Sequence, residues 1–236
     1  MHGQNRVRKP EAHPLGHVQV AEIFPTIQGE GPYAGRVAVF IRLTGCNLRC
    51  WFCDTKWDDD KDPVRPSHEV AKEAALLAPK TTLVVITGGE PLRQDLHGLI
   101  INLALVGFET IQIETAGTLW QPIMLHHKVK IVVSPKTPKI HPEIYRSADA
   151  FKYVIRREYE PQYFGHFPPV FNTQRAEESN KIEYLAHPRP GAPVYLSPLD
   201  EEDEVKNTNN MNEVVRMALD TGHIVGLQLH KILGLR

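Results

Sequence analysis

Short runs of β-branched and apolar residues alternate along the chain with stretches in which apolar positions recur every three or four residues. Val18 to Phe24 alternates as a half-buried strand does. Val37 to Leu43 (Val-Ala-Val-Phe-Ile-Arg-Leu) is almost continuously apolar, as a strand covered on both faces should be. Ser67 is placed to cap a helix whose inner face is Val70, Ala74 and Leu77, with Glu69 in its first turn. Thr82 to Ile86 reads as the next strand. Asp95 can cap a helix carrying Leu96, Leu99, Ile100 and Leu103 on one face and closing at Gly107. Strands are expected at Thr110 to Glu114 and Val129 to Ser134, with weaker patterns at Phe151 to Ile155, Val194 to Leu196 and Ile224 to Leu229. A late helix runs from about Asn210 to Thr221 and ends at Gly222. This βαβ rhythm implies a mostly parallel sheet with right-handed crossovers. Strands outnumber helices, so an incomplete TIM-type α/β barrel fits better than a full eightfold one. Glu158 to Pro193, rich in proline, aromatics and charge, has no clear period.

Composition narrows the picture mainly by exclusion. With 236 residues, 27 Lys+Arg against 28 Asp+Glu and a formal net charge of −1, there is chain for one core and no basic excess for gripping nucleic acid. One domain over residues 1–236 is expected, with residues 1–16 as an N-terminal extension. The most apolar stretch, Leu99 to Phe108, is broken by Asn102 and too short to cross a bilayer. Met1 to Arg6 has no apolar region behind its charges, unlike a secretory signal. Three cysteines are too few and too crowded for a disulfide framework, so a cytoplasmic, reducing setting is expected.

Those cysteines all lie in Gly45-Cys46-Asn47-Leu48-Arg49-Cys50-Trp51-Phe52-Cys53-Asp54-Thr55, directly after a strand. Three thiolates from one short loop form a metal-binding arrangement. No fourth cysteine remains for a structural zinc site, although a histidine such as His68 could complete one. A cubane cluster has four irons, so three cysteines would leave one iron open to a small molecule. Val85-Ile86-Thr87-Gly88-Gly89-Glu90-Pro91 follows a strand and precedes a helix, and its glycines permit close backbone approach while Glu90 can accept from an ammonium. Val133-Ser134-Pro135-Lys136 ends another strand, where α/β folds place ligand groups.

The cysteine spacing and the Gly-Gly-Glu-Pro segment resemble the radical S-adenosylmethionine (SAM) superfamily. The resemblance implies a [4Fe–4S] cluster on Cys46, Cys50 and Cys53, whose open iron binds SAM and whose reduction yields a 5′-deoxyadenosyl radical. It implies SAM contacts from Phe52, Cys53, Asp54, Gly88, Gly89, Glu90, Ser134, Pro135 and Lys136. Thr26-Ile27-Gln28-Gly29-Glu30-Gly31, Phe40-Ile41-Arg42-Leu43, Cys53-Asp54-Thr55, Ile113-Glu114-Thr115-Ala116-Gly117-Thr118 and Gln228-Leu229-His230-Lys231 are similar to a narrower family, the 7-carboxy-7-deazaguanine synthases. That likeness covers most of the chain from about Phe24 onward. It implies 6-carboxy-5,6,7,8-tetrahydropterin as substrate, met by Ile27, Gln28, Gly29, Glu30, Arg42, Thr87, His230 and Arg236, and Mg²⁺ on the Thr55 hydroxyl. It further implies hydrogen abstraction at C6, Mg²⁺-assisted ring contraction and loss of ammonia. A flavodoxin- or ferredoxin-type reductant and a homodimer would complete the system.

Departures from the family pattern are Phe52 before the last cysteine, Ser197-Pro198 where Gln-Pro is commoner, and Leu229 between Gln228 and His230. A glycyl-radical activase would share the cysteine loop without needing Gln28 to Gly31 or Thr55, and a non-catalytic iron–sulfur or zinc module is a third reading. The acidic runs Asp58-Asp59-Asp60-Lys61-Asp62 and Asp200-Glu201-Glu202-Asp203-Glu204 lack the alternating spacing of a calcium loop and read as solvated. His2, His13, His17, His126 and His127 read as surface residues.

Overall fold

The computed structural model describes residues 5–55, 61–157 and 185–235. Its strands are β1 (His17–Ile27), β2 (Val37–Leu43), β3 (Val64–Pro66), β4 (Leu83–Gly88), β5 (Thr110–Thr115), β6 (Val129–Val133), β7 (Ala150–Ile155), β8 (Val194–Pro198) and β9 (Ile224–Val225). The helices are α1 (Ser67–Leu77), α2 (His97–Leu105), α3 (Pro142–Ser147), α4 (Glu204–Thr221) and α5 (Leu229–Ile232). All strands join one sheet in the order β3-β1-β2-β4-β5-β6-β7-β8-β9. β1 runs antiparallel to both its neighbours, and every pairing from β2 to β9 is parallel. Nine strands against five helices among the described residues, with β3 and β9 left as edges, make the incomplete barrel that the sequence pattern implies.

The two-residue period of the strands decides what faces where. Val39, Ile41 and Leu43 of β2, Val84 and Ile86 of β4, Ile111 and Ile113 of β5, and Phe151 and Tyr153 of β7 join one core with Val70, Ala71 and Ala74 of α1 and Leu99, Ile100 and Leu103 of α2. Each fully buried Val, Leu, Ile or Phe among them contributes about 1.5–3 kcal/mol. The intervening positions face the inside of the curved sheet. Near the strand starts these are apolar, with Ala38, Leu83 and Val85 packed together. Toward the strand ends they become Arg42, Thr87, Glu114 and Lys152.

Several element boundaries differ from the pattern. Pro66, not Ser67, is the residue preceding α1, and the Ser67 hydroxyl is buried without a hydrogen bond among the described residues. Leu77 is 40 % exposed and so falls off the inner face. Leu96, not Asp95, is the residue preceding α2, and Asp95 accepts from the His97 amide at 2.9 Å from one position earlier. α4 starts six residues before Asn210, because Asp203 caps it by accepting from the Lys206 amide at 3.0 Å. The early turns are exposed, so no apolar period marks them. Gly222 ends α4 at φ 72°, as expected. The proposed strand Ile224 to Leu229 shrinks to Ile224–Val225, both partly exposed, and Leu229 opens α5 instead. The second acidic run is not merely solvated: besides the cap, Asp200 pairs with Lys231 and the nearly buried Glu201 with Arg156. Of the first run, 58–60 lies outside the described residues, as do His2 and 158–184.

The ends of β2 and β4 are joined by backbone alone. The Gly89 amide donates to Leu43 O at 3.0 Å and the Glu90 amide to Gly45 O at 3.0 Å, extending the parallel ladder beyond the strands. A Cβ on Gly88 would lie 2.2 Å from Leu43 O, and one on Gly89 only 1.9 Å from Gly45 O. The following turn, Pro91–Arg93, sends the buried Arg93 beneath Gly45, where its guanidinium donates to Thr44 O at 3.0 Å. Gln94 donates to Thr44 O and Gln19 O, both at 3.1 Å. Gly89→Ala, which can avoid the Gly45 carbonyl only by separating the two turns, is expected to cost about 3 kcal/mol or more. The midpoint of urea unfolding checks this.

Candidate functional site

The inner polar positions and the loops at the carboxyl ends of the parallel strands enclose one cavity. The loop after β2 brings Cys46, Cys50 and Cys53 to its wall, together with Phe52, Asp54 and Thr55. The turn after β4 adds Gly88, Gly89 and Glu90, and the segment after β6 adds Ser134 and Lys136. Pro135 is not part of this lining. Ile27, Gln28, Glu30, Arg42, Thr87 and His230 reach the same cavity from the sheet and from α5. Gly29 lies behind it, where a Cβ would come within 2.2 Å of His230 Nδ1. Arg236 and 56–60 fall outside the described residues.

The glycine pair approaches protein backbone first, as the contacts with Leu43 and Gly45 show, and presents its remaining face to the cavity. Glu90 is buried and accepts from the Leu92 amide at 3.1 Å, the Thr115 hydroxyl at 2.7 Å and the Ala116 amide at 2.9 Å. Burial pushes its carboxyl up, while these donors pull it back. Lys136 folds onto its own segment, donating to Ser134 O at 3.0 Å and to the Ser134 hydroxyl, and burial lowers its ammonium pKa. Burial also pushes the Cys46 thiol up to about 12 and the Cys53 thiol up to about 11. Bound metal reverses that by deprotonating a coordinating thiol outright.

Opposite the cysteines lies a buried charge network that the sequence pattern did not single out. Lys152 of β7 bridges two carboxylates: it pairs with Glu30 and lies 3.3 Å from Glu114. Gln28 donates to Glu114 at 3.1 Å, Gln112 donates to it at 2.9 Å, and Gln228 donates to Glu30 at 2.9 Å. Burial alone would raise the Glu30 carboxyl, but the Lys152 ammonium and the donated bonds outweigh it and leave Glu30 at about 2. The same two carboxylates, against burial, drive Lys152 upward. Burial holds the His230 imidazole below its ordinary value despite the opposing Glu30. Arg42 pairs with Glu22 at 2.6 Å across β1 and β2 and lies over the Phe24 ring, half-buried at the cavity wall. The Thr55 hydroxyl donates to Asp54 at 3.0 Å.

Lys152, Glu114, Gln112, Thr115, Gln228 and Asn5 are among the residues of the cavity and its networks to which the sequence assigned no role. A lone lysine in the apolar run Phe-Lys-Tyr-Val-Ile and the alternation Gln112-Ile113-Glu114 are the signals that mark an inward polar face.

Three cysteines with no fourth thiol are the donor set that this loop offers a metal group. Among the described residues no three His, Cys, Asp or Glu side chains, the cysteines included, are gathered around a single ion position. His68 is exposed on α1, away from the cavity. Three cysteines on a loop that reaches the ligand cavity fit a cubane with one iron facing that cavity.

A family model for the radical SAM superfamily matches residues 40–155. The 7-carboxy-7-deazaguanine synthase of Rhodospirillum rubrum is 37% identical over 241 residues, covering 99% of both chains. That of Rickettsia prowazekii is 34% identical, covering 100% of this chain and 96% of its own. The crystal structure of QueE from Escherichia coli matches in fold with a TM-score of 0.60 at 22% identity, covering 89% of this chain and 92% of that one.

The Lys152 network makes a pH-dependent prediction. Lys152→Met leaves two buried carboxylates uncompensated and is expected to cost about 3–5 kcal/mol near neutral pH. Protonating Glu30 in the variant relieves the repulsion, so the deficit should shrink as pH falls. The unmodified chain should do the opposite: Glu30 is lowered, so its contribution is present above the unfolded carboxyl pKa and is lost as pH falls toward about 2. Urea unfolding of both proteins across this range is the check.

Proposed function

The chain belongs to the 7-carboxy-7-deazaguanine synthase family of the radical SAM superfamily, and we propose that it converts 6-carboxy-5,6,7,8-tetrahydropterin to 7-carboxy-7-deazaguanine with release of ammonia. This is a carbon–nitrogen lyase reaction of 7-deazapurine and queuosine-type biosynthesis. The observation that carries the reading is the continuity of one cavity from the three cysteines to the Gln28, Glu30 and Glu114 network.

Cys46, Cys50 and Cys53 would hold a [4Fe–4S] cluster, which with bound SAM supplies reductive formation of a 5′-deoxyadenosyl radical. Glu90 accepts three bonds in place and has capacity for one more, which suits the SAM ammonium. Phe52, Asp54, Ser134 and Lys136 wall the same end. At the other end, Glu30 is kept ionised by Lys152, so it can accept from the paired N–H groups of a pterin edge without first losing a proton. Gln28 offers that edge both a donor and an acceptor. His230, seated against Gly29, closes the side of the pocket. Arg42 and Thr87 stand where a substrate carboxylate would enter, and Arg42 can share its fork between Glu22 and that carboxylate. The Thr55 hydroxyl and the adjacent Asp54 suit Mg²⁺, a hard cation that keeps oxygen ligands and waters. A low-potential flavodoxin- or ferredoxin-type donor, a homodimeric state, a cytoplasmic setting and a single functional domain belong to the same proposal.

Anaerobic incubation of reconstituted protein with SAM, Mg²⁺, reductant and carboxytetrahydropterin should yield 7-carboxy-7-deazaguanine and ammonia by mass detection. Cys50→Ala should abolish product while retaining the fold by circular dichroism. Thr55→Ala should raise the Mg²⁺ concentration needed for half-maximal rate by about tenfold or more. SAM cleavage that requires a polypeptide instead of a pterin would favour the activase reading. Zinc content with no cleavage would favour a non-catalytic module.

A further inference from the structure

The N-terminal segment, read from the sequence as an extension, touches both ends of the cysteine loop. Val7 forms a parallel bridge with Cys46, and the Arg8 amide donates to Cys46 O at 2.7 Å. Asn5, only 5 % exposed, donates from Nδ2 to Cys53 Sγ at 3.7 Å and to Thr55 O at 2.8 Å. Farther along, the Glu11 amide donates to Arg93 O at 3.0 Å and its carboxylate accepts from Arg93 at 2.8 Å. The first and last cysteines are therefore held by one continuous stretch of chain, which is itself tied to the turn after β4.

We propose that the N-terminal segment is part of the iron–sulfur site and that Asn5 is a positioning residue for it, its carboxamide donating to the Cys53 sulfur. A carboxamide nitrogen carries two N–H donors, enough to serve both Sγ and Thr55 O. A donor aimed at a thiolate withdraws electron density from it, which makes the cluster easier to reduce. The bond to Thr55 O fixes the turn Cys53-Asp54-Thr55 and thereby the direction of the residues that line the cavity next to the cluster. A backbone strap at Cys46 and a side-chain bond at Cys53 together hold the loop from both sides without adding a fourth ligand.

The inference rests on the cluster assigned under the proposed function, and the experiment separates the two. The full chain, Asn5→Leu and Asn5→Asp are reconstituted and titrated reductively without SAM, following the reduced cluster by electron paramagnetic resonance. At equal iron and sulfide content, Asn5→Leu should show a more negative midpoint potential than the unmodified protein. Asn5→Asp should lie lower still, since it replaces a donor by a negative charge beside the sulfur. An unchanged potential in iron-loaded Asn5→Leu overturns the inference. If Asn5→Leu takes up no cluster, the isosteric Asn5→Asp decides, and a wild-type potential there overturns it equally. Failure of the unmodified chain to bind iron would instead overturn the assignment of the cluster.

Discussion

The site depends on a contact in which no side chain takes part. Where β2 and β4 end, parallel strands would ordinarily send their loops apart; here Gly88 and Gly89 let the two exits remain paired. The cysteine loop therefore leaves the sheet from a fixed point, already two residues deep in hydrogen-bonded contact with the turn that carries Glu90. Any side chain at Gly89 would occupy the space of the Gly45 carbonyl. Arg93 and Gln94 then fill the volume under Thr44 and Gly45 and saturate their carbonyl groups, so a glycine-rich junction that would otherwise be soft is rigid.

The inner face of the sheet carries a second constraint. Burying Lys152, Glu30 and Glu114 together is costly, and the outward-facing residues of β5 and β7 offset that cost by packing into the apolar core, β5 against α2 and β7 against α4. The alternation is what makes this possible: Phe151 and Tyr153 stabilise the fold while Lys152 between them serves the cavity. α5 closes this side through Leu229 N to Gly29 O at 3.1 Å and Lys231 to Asp200 at 2.6 Å.

The strands were legible because their outward positions are regularly apolar and β2 and β4 are apolar on both faces over most of their length, and the cysteine and glycine motifs because each is local in sequence. What the pattern missed is long-range. Lys152 lies 122 residues from Glu30 and 38 from Glu114, so nothing near it in the chain announces a partner. Asn5 is separated from Cys53 by 48 residues and lies in a segment with no periodicity to follow. The first turns of α4 and the short β9 and α5 are exposed, so the apolar signal on which the reading relies is absent there. Ser67 shows a different failure: its residue type suits a cap, but Pro66 holds that position and turns the hydroxyl inward.

The two halves of the cavity are not independent. Consecutive residues of β5 belong to different networks: Glu114 joins Gln28, Gln112 and Lys152, while Thr115 donates to Glu90. The Ala116 amide adds a second bond to the same Glu90 carboxylate. The carboxylate proposed to meet SAM and the one beside the proposed pterin pocket are thus referred to adjacent positions of one rigid strand. Their separation is set by the strand pleat of β5 and by the two hydrogen bonds that tie Glu90 to Thr115 and Ala116. For a reaction in which a radical centre on one ligand must reach a single carbon of another, a spacing fixed in this way restricts which hydrogen can be taken. It also explains why the loop holding the cysteines is anchored to the turn carrying Glu90: cluster, SAM carboxylate partner and substrate network all refer back to the same pair of strands, β4 and β5.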